Sequence, residues 1–172
     1  LNPTTMFRTI EDFSNEWTYE YESTLKLFGN LTNETLNQEI KPGGRDIGFL
    51  AWHMVETISE MLKLAGLTDI DELHDLDKSV RNVHKLKSDY ERLSKQALAA
   101  VKDQWNDEKL LEKVPMYGEE WMKGFVLQCL ILHQAHHRGQ MEVLMRQAGL
   151  KVTGIYGPAE EEWSVMGMEP QK

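Results

Sequence analysis

Four stretches of this chain repeat their large apolar residues at spacings of three and four, and that period constrains the fold more than any other feature of the sequence. In the first, Met6, Ile10, Phe13, Trp17, Tyr21 (or Glu20), Leu25 and Phe28 predict a helix from about Thr4 to Gly29, ended by Gly29 and Asn30. The second begins near Asp46, a capping residue type, just after the breaker Lys41-Pro42-Gly43-Gly44. Its inner face reads Ile47, Leu50, Met54, Ile58 and Met61. A third, about Lys78 to Asp103 with Asp77 or Ser79 as its cap, sets Val83, Leu86, Tyr90, Leu93, Ala97 and Val101 on one seam. The fourth starts between Gly118 and Trp121 and ends at Gly149. No segment shows strand alternation closed by hairpin turns.

Amphipathic helices must bury their apolar stripes against one another, so the expected fold is all-α, a four-helix bundle with long connections. The connections are the loop from Leu31 to Arg45 and the polar segment from Leu67 to Ser79, the latter with at most one helical turn. Turns around Gly154 and Gly157-Pro158, then one short helix, make a short C-terminal extension. A length of 172 residues suits a single domain, 1–172. A net charge of −9 disfavours attraction to nucleic acid or an anionic membrane surface. No apolar run approaches the roughly 20 residues of a membrane helix, and the first residues lack the pattern of a secretory signal. Cys129 is the only cysteine, which excludes an internal disulfide and fits a reducing compartment; the expected localisation is cytoplasmic.

The stretch "LHQAHHRGQM", Leu132 to Met141, puts three histidines into five positions of the fourth helix. There the inner stripe reads Met122, Val126, Cys129, His133, His137, Gln140 and Leu144, all within an arc of roughly 80° at 100° per residue. His133 and His137 therefore face the core. Side chains four apart on a helix have Cβ atoms about 5–6 Å apart, close enough for two imidazoles to converge on one ion. The alternative is a pair hydrogen-bonded to core neighbours. A third ligand has one promising source, His53, which lies between Leu50 and Met54 on the inner face of the second helix. His74 falls in a charged stretch and His84 at the edge of its seam. His136 flanks His133 on the side opposite His137, about 60° away, and helical geometry barely separates the two. Arg138 points about 100° from His137, so an ion pair within the fold is expected of it. Gly139 suits close helix approach, and Cys129, one turn before His133, is either a small core residue or a neighbour of the site.

With "LAWHMVE" on the second helix, "HQAHHRGQM" on the fourth and "IYGPAEEEW" in the tail, the chain resembles the DinB-like branch of the DinB/YfiT-like superfamily of bacterial metal-binding four-helix bundles. The resemblance spans nearly the whole chain. It implies that His53, His133 and His137 hold the metal, leaves His136 outside the triad, and implies a homodimer. It also implies a reaction class, since several branches resemble metal-dependent thiol transferases or isomerases that use a low-molecular-weight thiol.

Three protein ligands with an open position make a catalytic arrangement in general. Imidazole suits zinc, nickel, copper and ferrous iron; zinc is the first expectation and nickel the second. The expected function is thus a metal-dependent enzyme, a thiol S-transferase acting on a small electrophile. The alternatives are a metal-dependent hydrolase and a non-catalytic, metal-binding stress-response dimer. Glu56, three residues after His53, is the candidate catalytic carboxylate, placed to orient a ligand or accept a proton; a salt-bridged surface residue is the competing reading. The di-iron Glu-x-x-His pair, HExxH and CxxC are absent, which disfavours those metal classes.

Overall fold

The computed structural model describes residues 6–73 and 79–169. Four long helices dominate them: α1 (Ile10–Phe28), α2 (Ile47–Leu64), α3 (Val83–Gln104) and α4 (Lys123–Gln147). Each packs most extensively on two neighbours, in the cyclic order α1, α3, α2, α4, so α1 and α2 stand diagonally opposite and so do α3 and α4. That order explains the long links after α1 and after α3. The core runs down the middle, through Phe13, Trp17, Phe28, Leu50, Trp52, Met54, Tyr90, Val126 and Met141. No helix among the described residues is long and apolar enough to cross a membrane.

The helix starts follow local capping chemistry, which moves two of them from the positions that periodicity suggests. Asp46 caps α2 as expected, its carboxylate accepting the Phe49 N–H at 2.7 Å. α1 starts at Ile10, later than the apolar stripe implies, because Thr9 is extended and its hydroxyl accepts the Asp12 N–H at 3.1 Å. Ahead of it, Phe7 donates its N–H to the Gly124 carbonyl at 3.2 Å and turns inward as a strap across α4. A side chain at Gly124 would put its Cβ 2.2 Å from the Phe7 carbonyl oxygen, so only glycine permits this contact. α3 likewise begins beyond the expected point, with Asn82 as its cap. Residues 80–82 are drawn into other contacts: the Trp52 indole N–H reaches the Val80 carbonyl, and Arg81 pairs with Asp46 at 2.5 Å. The expected start of α1 at Thr4, that of α3 at Lys78, the cap Asp77 and His74 lie outside the described residues.

The expected absence of strands is overturned. Lys113–Met116 (β1) and Glu119–Met122 (β2) form an antiparallel hairpin, and α4 begins only after it. The turn is two residues long, Tyr117-Gly118, with φ of 50° and 85°. Positive φ at both central positions is the signature of a type I′ turn, whose twist matches that of the strands it joins. The usual Asn-Gly or Asp-Gly signal is missing because a tyrosine stands first. At the C-terminus, two consecutive 3₁₀ turns, Glu160–Glu162 and Ser164–Met166, replace the one short helix expected.

Candidate metal centre

α2 and α4 share an extensive interface, and the three inward histidines face one another across it. His133 and His137 sit one turn apart on α4, with ring centroids 4.4 Å apart. The His53 ring, from α2, lies 5.0 Å from that of His133 and 4.8 Å from that of His137. One nitrogen from each ring lies within 4.8 Å of the other two, close enough for the cluster to hold a divalent ion.

The outer edges of the rings are tied to neighbours. His137 Nδ1 lies 2.9 Å from Gln140 Oε1, which only accepts, so this nitrogen carries the proton and donates. Gln140 in turn presents its amide nitrogen to His136 Nε2 at 3.1 Å. His133 Nδ1 lies 3.4 Å from the Thr57 hydroxyl. That hydroxyl proton is spent on the α2 carbonyls of His53 and Met54, at 3.0 and 3.2 Å, so its oxygen accepts from His133. Glu56 Oε2 faces His53 Nδ1 at 3.7 Å. Carboxylate, amide and hydroxyl acceptors behind the imidazoles are the arrangement that sets the tautomer of a metal-ligating histidine.

This leaves two lone pairs in opposition. His133 Nε2 and His137 Nε2 are 3.1 Å apart, and with both Nδ1 atoms protonated neither Nε2 brings a hydrogen to the contact. A shared cation relieves that repulsion. Two Zn–N bonds of about 2.0–2.1 Å at a tetrahedral angle would separate their nitrogens by roughly 3.3 Å. A proton is a poor substitute, because burial, reinforced by His137, His53 and His136, pushes His133 down to about 4. Burial also lowers His137, against the opposing effect of its bond to Gln140. The residues thus fit a divalent metal by donor type, tautomer and spacing.

The centre opens into a cleft of about 460 Å³. His53, His133 and Thr57 line its inner part, and Tyr117 and Trp121 of the hairpin and Leu132 of α4 also border it. Cys129 contributes to the same wall but is buried, and burial pushes its thiol up to about 11, so at neutral pH it is a small apolar neighbour. Glu56 is not among the lining residues; it borders a separate cleft with Glu60 and Lys63. His136 is exposed; it lines the same cleft, its ring meets that of His137 edge-to-face with centroids 5.0 Å apart, and its Nε2 faces the Gln140 amide. His84 is exposed on α3.

Two further expectations about α4 are resolved. Arg138 is an internal ion-pair partner: it is 1% exposed and bonds Glu20 of α1 at 2.5 Å. Gly139 serves no close approach, since a Cβ there would meet nothing within 4 Å; Gly124 has that role. Sequence reasoning missed Gln134, which is fully buried behind the histidines. Its amide donates to the Met54 carbonyl at 2.9 Å and its oxygen accepts from the Tyr90 hydroxyl at 3.1 Å, fixing α4 against α2 and α3. A glutamine amid apolar residues in "ILHQAHH" was the available signal. Tyr117 and Trp121 of the hairpin carry no sequence signal that would place them at the cleft.

Comparison with known proteins agrees with this architecture. A family model described as the DinB family matches residues 6–172. The chain is 41% identical over 167 residues to the protein YrdA of Bacillus subtilis (strain 168), covering 97% of this chain and 99% of that one. The crystal structure of a DinB-like protein from Bacillus cereus ATCC 10987 superposes with a TM-score of 0.82 at 39% identity, over 88% of this chain and 100% of that one. The DinB-like protein YjoA of Bacillus subtilis, at 13% identity, shares the fold with a TM-score of 0.66 over 86% of this chain and 99% of its own.

Proposed function

This chain belongs to the DinB family, and we propose that His53, His133 and His137 hold a divalent metal, zinc first and nickel second, at the centre of a metal-dependent enzyme. The observation that carries the reading is the convergence of three imidazoles, two of whose outer nitrogens are bonded to Thr57 and Gln140 while the third faces the Glu56 carboxylate at 3.7 Å. When bound, the ion supplies Lewis-acid activation of a thiol or a water molecule at neutral pH. The residues do the rest. Gln140 and Thr57 orient His137 and His133, burial keeps both rings neutral, and the Glu56 carboxylate faces His53 Nδ1 at 3.7 Å. The hairpin and Leu132 wall off the cleft in which an electrophile is positioned.

The reaction we favour is transfer of a small electrophile to the sulfur of a low-molecular-weight thiol, in a cytoplasmic homodimer. An accessible cleft beside a centre with three ligands among the described residues supports catalysis over a purely structural, stress-response role for the ion. Metal analysis of tag-free protein, after equilibration with divalent ions and removal of excess, tests the centre. About one ion per chain is expected in the wild type, with loss in both His53→Ala and His133→Ala. No ion in the wild type would end the metalloenzyme reading. Turnover that needs added thiol separates S-transfer from hydrolysis, which proceeds without it.

A further inference from the structure

We infer that the electrophile carries a planar aromatic group, held by Tyr117 and Trp121 at the metal-centre cleft; this rests on the metal-dependent reading above. The first observation is backbone strain. Tyr117 stands at φ 50°, in the left-handed region, at a turn position where Asn, Asp or Gly sits without penalty. The second is that core packing does not account for the choice, since the side chain is 57% exposed. The third is where the ring goes. It meets Trp121 edge-to-face with centroids 5.8 Å apart, and the two rings make an aromatic wall that the buried Phe125 backs from behind, 5.1 Å from Trp121.

Both polar atoms of this wall are already satisfied. The Tyr117 hydroxyl donates to Glu60 Oε1 at 3.0 Å, anchoring the hairpin tip to α2, and the Trp121 indole N–H donates to Glu119 Oε2 at 2.7 Å. What the two rings offer a ligand is therefore aromatic and apolar surface, continued by Met61 and Leu132. A cleft of about 460 Å³ has the size of a small-molecule site, and its other lining residues include His53 and His133. A ligand bound at the metal by one end would lay its other end along the aromatic wall.

Two hydroxamates of equal chelating chemistry test this on cobalt(II)-loaded protein, whose visible absorption reports ligation. Acetohydroxamate probes the metal alone and benzohydroxamate adds a phenyl ring. The wild type should bind benzohydroxamate about tenfold more tightly. Tyr117→Asn, with a residue suited to the turn, should melt at or above the wild-type temperature, bind acetohydroxamate unchanged and lose most of the phenyl preference. Tyr117→Phe, which keeps the ring and loses only the bond to Glu60, should retain the preference. Equal affinity for the two probes in the wild type, an undiminished preference in Tyr117→Asn, or a clear drop in its melting temperature would overturn the inference while leaving the metal centre standing. Failure of acetohydroxamate to bind the wild type would overturn the metal reading, and this one with it.

Discussion

Replacing Arg138 by Met should be among the most destabilising single changes in this protein and yet leave the metal centre intact. The guanidinium is enclosed between α1 and α4. It donates to Glu20 Oε2 at 2.5 Å, to the Glu20 carbonyl at 3.2 Å, to the Thr24 hydroxyl at 3.0 Å and to the Tyr156 hydroxyl at 2.5 Å. Methionine fills most of the volume but offers no donor. Glu20, 3% exposed, would keep only the Tyr156 hydroxyl, at 2.8 and 2.9 Å from its two oxygens. An uncompensated buried charge of this kind costs about 3–5 kcal/mol. In a chain of this length that lowers the melting temperature by roughly 6–20 °C. Replacing Glu20 by Met as well removes the stranded charge, so the double variant should lie within about 2 kcal/mol of wild type. Urea unfolding of the four proteins closes the cycle, and metal analysis of each should still find the wild-type stoichiometry. A loss below about 1 kcal/mol for Arg138→Met, or a double variant no better than the sum of the singles, would refute the assignment of this pair as a coupled buried unit.

Gln140→Leu removes the acceptor of His137 Nδ1 and the link to His136 together. Metal affinity should fall by about 10- to 100-fold in a competitive chelator titration, while a change within twofold would show that the amide does not orient the ligand. The metal-free protein should lose stability as the pH falls. His133 in the folded chain resists protonation down to about 4, while the same residue in the unfolded chain titrates near its ordinary value of 6.5. Between these limits the unfolded state binds more protons, so unfolding free energy declines from pH 6.5 towards 4. His133→Phe should flatten that slope in urea titrations across the window; an unchanged slope would assign the pH dependence elsewhere.

The helices, the Asp46 cap and the inward face of His133 and His137 were legible in the sequence because each depends on residues within one or two turns. A 3.6-residue period and a side-chain cap are local physics. The starts of α1 and α3 were misplaced for the converse reason, since Phe7 and Val80 are claimed by partners far along the chain. The hairpin escaped because Tyr117 occupies a turn position whose usual residues announce themselves. Arg138 could be assigned to an ion pair from its angle on the helix, but nothing in the order of residues named Glu20, 118 positions away, as its partner. So it is with the centre itself. Periodicity is enough to show which helix faces carry imidazoles. Only the packing of α2 on α4, held in register by Gln134, decided that His53 meets the other two and that Tyr117 and Trp121 share their cleft. Periodicity orients a side chain about its own helix axis; the distance between two helices is set by everything that packs between them.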